Sequence, residues 1–158
     1  DDVYVEGITK LTAEDIAYAT EMGYTIKLLG VARHSENDGI EVRVHPMLIP
    51  SVHPLATVND SFNAVFVHGD AVDDVMFYGR GAGSLPTASA VVGDVVQIAR
   101  NPKATGNKAA AGASFDAENA KGSFCARVNG EFVRLDNVTR EEAAEKFGPD
   151  AGAVLRVL

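Results

Sequence analysis

The sequence has one cysteine and no long apolar run, and each of these two shortages excludes a class of protein. The single thiol, Cys125, cannot form a disulfide within the chain and is typical of a protein kept in a reducing compartment. No segment approaches the roughly 20 consecutive apolar residues that cross a bilayer. The first residues, DDVYVEG, are acidic and do not resemble a secretory signal. We therefore expect a cytoplasmic protein without a membrane partner.

Basic residues are also scarce. The chain has 14 Lys and Arg against 22 Asp and Glu, and its formal net charge is -8. A protein that binds nucleic acid or an anionic membrane surface needs a basic face to neutralise phosphates. We therefore expect neither partner. With 158 residues, 46% of them hydrophobic, the chain has enough apolar side chains to build the core of one ordinary domain.

In the first third of the chain, cap and turn signals predict a βαββ order. Thr12, followed by two acids in the next three residues, is typical of a helix start. The apolar run 24–33 and the alternating run 40–46 (IEVRVHP) predict two strands joined at an Asp-Gly turn. The alternation favours a half-solvated strand with its charged side chains in water. Three prolines in 46–54 predict that an irregular connection begins at about residue 48.

Later segments predict a second hairpin, a long helix and a final ββαβ unit. Residues 62–68 and 75–78 are strand-like, and Pro86 suits the first turn of a helix that ends near residue 100. Asn129-Gly130 is a strong hairpin signal, and a capping-box pattern begins at Thr139.

This order of elements predicts an α+β fold: a mixed, mostly antiparallel sheet with helices on one face, plus a small C-terminal ββαβ lobe. We expect residues 1–100 to form the main domain and 121–158 the lobe. Residues 101–120 are small and polar and are predicted to be a linker.

The stretch YGRGAGSLPTAS, residues 78–89, places glycines at alternate positions before a helix. It is not a complete dinucleotide fingerprint, because Ser84 stands where the third glycine is needed and no acid follows near position 103. A P-loop lysine is absent too. Two interpretations stay open: a structural turn, or a loop whose bare backbone contacts a ligand.

The remaining polar residues of the sequence match no known catalytic or metal-binding motif. The four histidines have no metal-ligand spacing, so we expect polar strand-end residues and no metal site. The Asp70, Asp73 and Asp74 cluster is explained by a hairpin turn, and Lys10 and Lys27 by solvated lysines. We assign no catalytic residue.

Three long segments together resemble the homoserine dehydrogenase family. They are GITKLTAEDIAYATEMGYTIKLLGVAR, VRVHPMLIPSVHPLATVNDSFNAVFVHGDAV and MFYGRGAGSLPTASAVVGDVVQIAR. The resemblance runs from about Val3 to Arg100 and covers that family's substrate and dimerisation domain. It implies the NAD(P)-dependent interconversion of L-aspartate 4-semialdehyde and L-homoserine, in the biosynthesis of threonine, methionine and isoleucine.

The resemblance also implies roles for individual residues. Gly81 and Gly83 would approach the nicotinamide end of NADP or NAD, and Thr87 with its helix would pack on a cofactor domain. Asp73 stands where the family usually has glycine. The family's Rossmann domain and its DAAHK-like segment with the catalytic lysine would precede residue 1, so we expect the 158-residue chain alone to be inactive. A small-molecule substrate and a homo-oligomer formed through the sheet are expected.

A non-enzymatic alternative stays open as well. The tail from residue 121 stands where the family can carry an ACT regulatory domain, although it is shorter than a full βαββαβ unit. On this hypothesis the chain is an amino-acid-sensing or dimerisation module.

Overall fold

The computed structural model describes residues 3–34, 39–102 and 120–158, and these form two compact units. The first unit takes the described residues up to Ala56 together with those from Ala120 on, and the second begins at Thr57. Their elements, in chain order, are β1 Tyr4–Val5, α1 Ala13–Glu21, β2 Tyr24–His34, β3 Ile40–Pro50, a 3-10 turn at Pro54–Thr57, β4 Phe62–Gly69, β5 Asp73–Arg80, α2 Ser84–Arg100, β6 Gly122–Val128, β7 Glu131–Val138, α3 Arg140–Phe147 and β8 Leu155–Val157.

The first unit is built on a six-stranded mixed sheet around β3. Along one edge of β3 runs β2, antiparallel over its full length from His34↔Ile40 to Tyr24↔Pro50. Along the other edge lie two short parallel strands in succession, β1 opposite residues 43–44 and β8 opposite residues 47–48. The sheet continues from β8 to β6 and then to β7, both antiparallel. The predicted α+β class with a mixed, mostly antiparallel sheet is therefore confirmed.

Strand β3 continues through Pro46 to Pro50, so the predicted start of an irregular connection near residue 48 is wrong. The backbone of Val44 and of Leu48 faces the edge that carries β1 and β8, because their carbonyls accept from Glu6 and Leu158. By strand alternation Pro46 faces the same edge, in the gap between those two short strands. The missing N–H of Pro46 therefore leaves no ladder bond unmade.

The two helices of this unit begin as predicted but lie on opposite faces of the sheet. Both α1 and α3 have a capping box, at Thr12 and Thr139. Helix α1 packs on the cluster that contains Cys125, and α3 packs on the cluster that contains Phe124. Neighbouring residues of a strand point to opposite faces. Helix α1, predicted for the main domain, and α3, predicted for the C-terminal lobe, therefore cover opposite faces of β6, each of which is apolar.

The C-terminal segment has the predicted ββαβ order, and its hairpin turns at Asn129 and Gly130, both with positive φ. Its strands join the main sheet, however, because β8 pairs with β3 as well as with β6. The observed units therefore differ from the predicted division into 1–100 and 121–158. Most of the predicted linker, residues 103–119, lies outside the described residues.

The second unit consists of the β4–β5 hairpin and helix α2. The strands pair in register from Phe62↔Arg80 to Gly69↔Asp73, which confirms the predicted hairpin. Asp73 has φ +51°, a conformation that glycine adopts without strain, and this accounts for the glycine that the family resemblance leads us to expect there. Every residue of α2 except Pro86 is exposed, six large aliphatic side chains included. No helix in the described part of the chain is long and apolar enough to cross a membrane.

Candidate functional site

The candidate site is the glycine loop, residues 81–83, which connects the end of β5 to the start of α2. Helix α2 begins at Ser84, and Gly83 is its N-cap, with no side chain to accept from the first N–H groups. The N–H of Thr87 donates to the carbonyl of Gly83 at 3.1 Å. The first N–H groups of a helix have no partner within it, so this end of α2 presents backbone donors to a ligand.

Gly81 is required by its neighbour on β4. A Cβ built on Gly81 would lie 1.8 Å from Nδ2 and 2.7 Å from Cγ of Asn63, closer than non-bonded atoms can approach. The N–H of Gly81 also donates to the carbonyl of Ser61 at 3.3 Å, which ties the loop to the start of β4. A side chain at position 81 would therefore force Asn63 to shift, which is a packing reason for glycine, as the structural interpretation expects.

Gly83 is a glycine for a different reason. Its φ is +124°, which residues with a Cβ rarely adopt. Sterically the position is nearly open, because a Cβ there would meet only the ring of Pro86, at 3.4 and 3.7 Å. Backbone conformation, rather than contact with a neighbour, excludes other residues at this cap.

An aromatic and cationic stack borders the loop. The rings of Phe62 and Tyr78 stack with centroids 4.8 Å apart and planes 5° from parallel. The guanidinium of Arg80 lies 4.7 Å from the centroid of Phe62, and its Nη1 donates to Oγ of Ser61 at 2.9 Å. Residues 62 and 80 face each other because they are paired in the hairpin ladder.

The three residues predicted to contact a cofactor therefore lie together on one exposed surface. Gly81 and Gly83 lie in the loop, and Thr87 lies in the first turn of α2. Sequence reasoning missed Phe62, Asn63 and Arg80. The hairpin signal contained the information, because a register for residues 62–69 against 73–80 places these residues beside the glycine loop.

A second group of polar residues lies in the first unit, where Glu41, Arg43 and His45 share one face of β3. Side chains 41, 43 and 45 alternate with the half-buried Val42 and Val44, and these polar side chains are the buried ones. The predicted half-solvated strand with its charged side chains in water is therefore wrong. Glu41 is at the centre and forms ion pairs with Arg33, Arg43 and Arg156, and Arg33 is the exposed member.

The electrostatics of this buried group follow from burial and pairing. Burial alone would raise the pKa of Glu41, but hydrogen bonds from Arg33 and Arg156 hold the pKa below its ordinary value. Burial lowers the pKa of His45 to about 4, and the neighbouring arginines act in the same direction. The His45 Nδ1 atom lies 3.1 Å from the carbonyl of Pro46, whereas Nε2 has no hydrogen-bond partner among the described residues. Such a carboxylate saturated by guanidinium groups is typical of a structural ion-pair network.

Other candidate groups have structural explanations. Burial raises the pKa of the Cys125 thiol to about 11, so it is a poor nucleophile. His68 pairs with Asp74 at 2.8 Å across the exposed hairpin. Among residues 3–34, 39–102 and 120–158, no three His, Cys, Asp or Glu side chains cluster as metal ligands would.

Comparison with known proteins identifies the family. A sequence profile described as homoserine dehydrogenase matches residues 1–96 of this chain. The homoserine dehydrogenase of Bacillus subtilis is 50% identical over 109 residues, which are 68% of this chain and 25% of that protein. That of Corynebacterium glutamicum is 55% identical over 105 residues, which are 64% of this chain and 24% of that protein.

Solved structures extend the similarity to nearly the whole chain. The crystal structure of a homoserine dehydrogenase from Thiobacillus denitrificans has a TM-score of 0.77 at 35% identity, covering 99% of this chain and 48% of that one. The enzyme from S. aureus at pH 7.0 has a TM-score of 0.72 at 32% identity, with coverage of 99% and 47%. The similarity thus spans about a quarter of the curated relatives and about half of the crystallised chains. The chain belongs to the homoserine dehydrogenase family.

Proposed function

We propose that this chain is the substrate and dimerisation part of a cytoplasmic, NAD(P)-dependent homoserine dehydrogenase. The reaction interconverts L-aspartate 4-semialdehyde and L-homoserine, in the biosynthesis of threonine, methionine and isoleucine. The observation that carries the proposal is the exposed glycine loop at the start of α2, inside the segment that matches the family. An exposed backbone with free N–H groups suits close approach of a polar ligand.

In this proposal, the residues of the chain position the ligand and do not react with it. The bound nicotinamide cofactor would supply the hydride chemistry. Gly81 and Gly83 leave the loop without side chains, so the nicotinamide end can lie against the backbone. Thr87 lies one turn further along α2 and would hold the apolar helix against the part of the enzyme that binds the rest of the cofactor.

A homo-oligomer formed through the sheet is a further part of the proposal. Strand β2 is an edge strand of 11 residues, and its outer backbone groups face away from β3. Leu28, in the middle of this edge strand, is 55% exposed. Long edge strands readily pair with a second copy around a two-fold axis. Size-exclusion chromatography with light scattering tests this; we expect Leu28→Lys to shift a dimer toward monomer.

The comparisons favour the enzyme over the non-enzymatic sensing module, since the matched relatives are named as dehydrogenases. In addition, the tail from residue 121 contributes strands to the central sheet. Those strands contribute residues to the core of the first unit, so their presence has a structural explanation without a sensing role.

A chimera tests the proposed function directly. Residues 1–96 of this chain replace the matching segment of the Corynebacterium glutamicum enzyme, and homoserine-dependent reduction of NAD⁺ and NADP⁺ is measured. We expect the chimera to retain turnover and to lose it with Gly83→Ala. The matched control is Gly93→Ala, at an open position in the middle of α2 with no atom within 4 Å of the added Cβ. A folded, cofactor-binding chimera without turnover would contradict the proposal.

A further inference from the structure

Arg80 is the arginine whose charge the fold leaves unexplained. In the part of the chain that the structure describes, six other arginines form ion pairs with carboxylates, and Arg80 does not. Arg100 has no ion pair with a described residue either, but it lies in the last turn of α2, where a positive charge interacts favourably with the helix dipole. Arg80 ends a strand and has no such dipole to balance.

The position of Arg80 is nevertheless well defined. Its guanidinium lies over the ring of Phe62, which stacks in turn on Tyr78, and one N–H is bound by the hydroxyl of Ser61. A guanidinium carries five N–H donors in a planar fork. Four of these donors therefore have no protein acceptor among the described residues. A fork held in place by an aromatic ring loses little further freedom on binding, which favours affinity.

The guanidinium of Arg80 is a cation with N–H donors only, so its own chemistry favours anionic ligands. Residues 57–102 contain five aspartates and two arginines, so Arg80 is a local positive charge in an acidic unit. Gly81, the next residue, opens the candidate site, and the N–H of Gly81 is tied to the carbonyl of Ser61, the residue whose hydroxyl accepts from Arg80. The fork and the loop thus share one anchor on β4.

We propose that Arg80 is an oxyanion-binding residue of the glycine-loop site. It takes a carboxylate or phosphate group of the ligand as a two-point hydrogen-bond acceptor. This inference rests on the proposed function, because it assumes that a ligand reaches this loop. Two sources of the anion fit the chemistry, the carboxylate of the amino-acid substrate and a phosphate of the dinucleotide, and the experiments below distinguish them.

The first experiment uses the 158-residue chain itself. Sodium pyrophosphate and L-homoserine are titrated separately at constant ionic strength, and the Nε–H signals of both unpaired arginines are followed by NMR. We expect saturable shifts at Arg80 with one of the two probes. Arg80→Gln removes them, Arg80→Lys weakens them because the fork is lost, and the matched control Arg100→Gln leaves them unchanged. Equal shifts at both arginines, or no shift with either probe, would overturn the proposal.

The second experiment measures Arg80→Gln and Arg80→Lys in the active chimera, whose residues 1–96 come from this chain. Loss of a charge-assisted hydrogen bond costs about tenfold or more in affinity. We therefore expect Arg80→Gln to raise KM at least about tenfold for either homoserine or the cofactor, and the ligand affected identifies the source of the anion. Unchanged KM values for both ligands in an active chimera would refute the role of Arg80 and leave the proposed function intact. An inactive parent chimera would count against the proposed function, and the NMR titration would still decide the anion site.

Discussion

The steric account of the glycine loop can be tested with a double-mutant cycle at Gly81 and Asn63. A methyl group at position 81 would overlap the Asn63 side chain, with Nδ2 at 1.8 Å and Cγ at 2.7 Å. Because Asn63 is exposed, its side chain can rotate away, so the expected cost is that of local overpacking, about 1–3 kcal/mol. Alanine also restricts the conformations of the unfolded chain, which should stabilise the folded state by about 0.5 kcal/mol. This gain applies because φ at position 81 is not positive, so alanine can adopt the native backbone conformation. Gly81→Ala alone should therefore destabilise the hairpin by about 0.5–2.5 kcal/mol.

Truncating the partner should reverse that sign. With Asn63→Ala the nearest remaining atom would be the Cβ of residue 63, at 3.4 Å, which is an ordinary contact. In that background Gly81→Ala should stabilise by about 0.5 kcal/mol, which makes the coupling energy about 2 kcal/mol. Gly83→Ala is the matched control: its strain comes from φ +124°, so it should cost about 1–3 kcal/mol whether or not Asn63 is truncated.

The measurement is amide hydrogen exchange of the β4–β5 ladder, at residues such as Val65 and Phe77, which pair in its middle. This reports the free energy of opening of the hairpin itself, which a global unfolding signal would average with the first unit. If the effects of Gly81→Ala and Asn63→Ala simply add, the steric explanation of Gly81 is refuted. The ligand-contact interpretation would then be the better explanation of that glycine.

Four further predictions concern the first unit and the whole chain. The pKa of His45 is about 4 in the folded protein and 6.5 when exposed, so below pH 6.5 the unfolded chain binds the proton more readily than the folded chain. The free energy of unfolding, measured in urea, should therefore fall by about 2 kcal/mol between pH 7.5 and pH 5, and His45→Gln should remove this pH dependence. Glu41→Gln leaves the buried Arg43 and Arg156 without their carboxylate and should lower the free energy of unfolding by about 3–5 kcal/mol, measured by urea denaturation. The control Asp136→Asn, at an exposed ion pair, should leave the urea midpoint of unfolding unchanged. Cys125, with a pKa of about 11, should resist Ellman's reagent at pH 8 until urea unfolds the chain; rapid labelling of the folded protein would contradict its burial. The 158-residue chain alone should not oxidise homoserine with NAD⁺ or NADP⁺, because we assign it no catalytic residue and no complete dinucleotide fingerprint; any steady turnover would refute this.

Local chemistry explains what the sequence predicted well. The capping boxes at Thr12 and Thr139, the turn at Asn129-Gly130 and the helix start near Pro86 each depend on residues within four positions of one another. Such signals act through short side-chain to backbone bonds and fixed dihedral angles, so they operate whatever the rest of the chain does. The glycine loop was found in the same way. The structure adds that its two glycines are required for different reasons.

The sequence by itself determined which residues share a face, and the tertiary structure decided which faces meet water. The alternation in 40–46 correctly placed Glu41, Arg43 and His45 on one side of β3, yet that side is the buried one. The alternation of residues shows which side chains share a face of the strand, but it does not show which of the two faces the rest of the chain covers. What covers that side of β3, and the pairing of β3 with β8, depend on contacts between distant parts of the chain. Those contacts form because burying apolar surface and pairing every buried charge must be satisfied over the whole sheet at once.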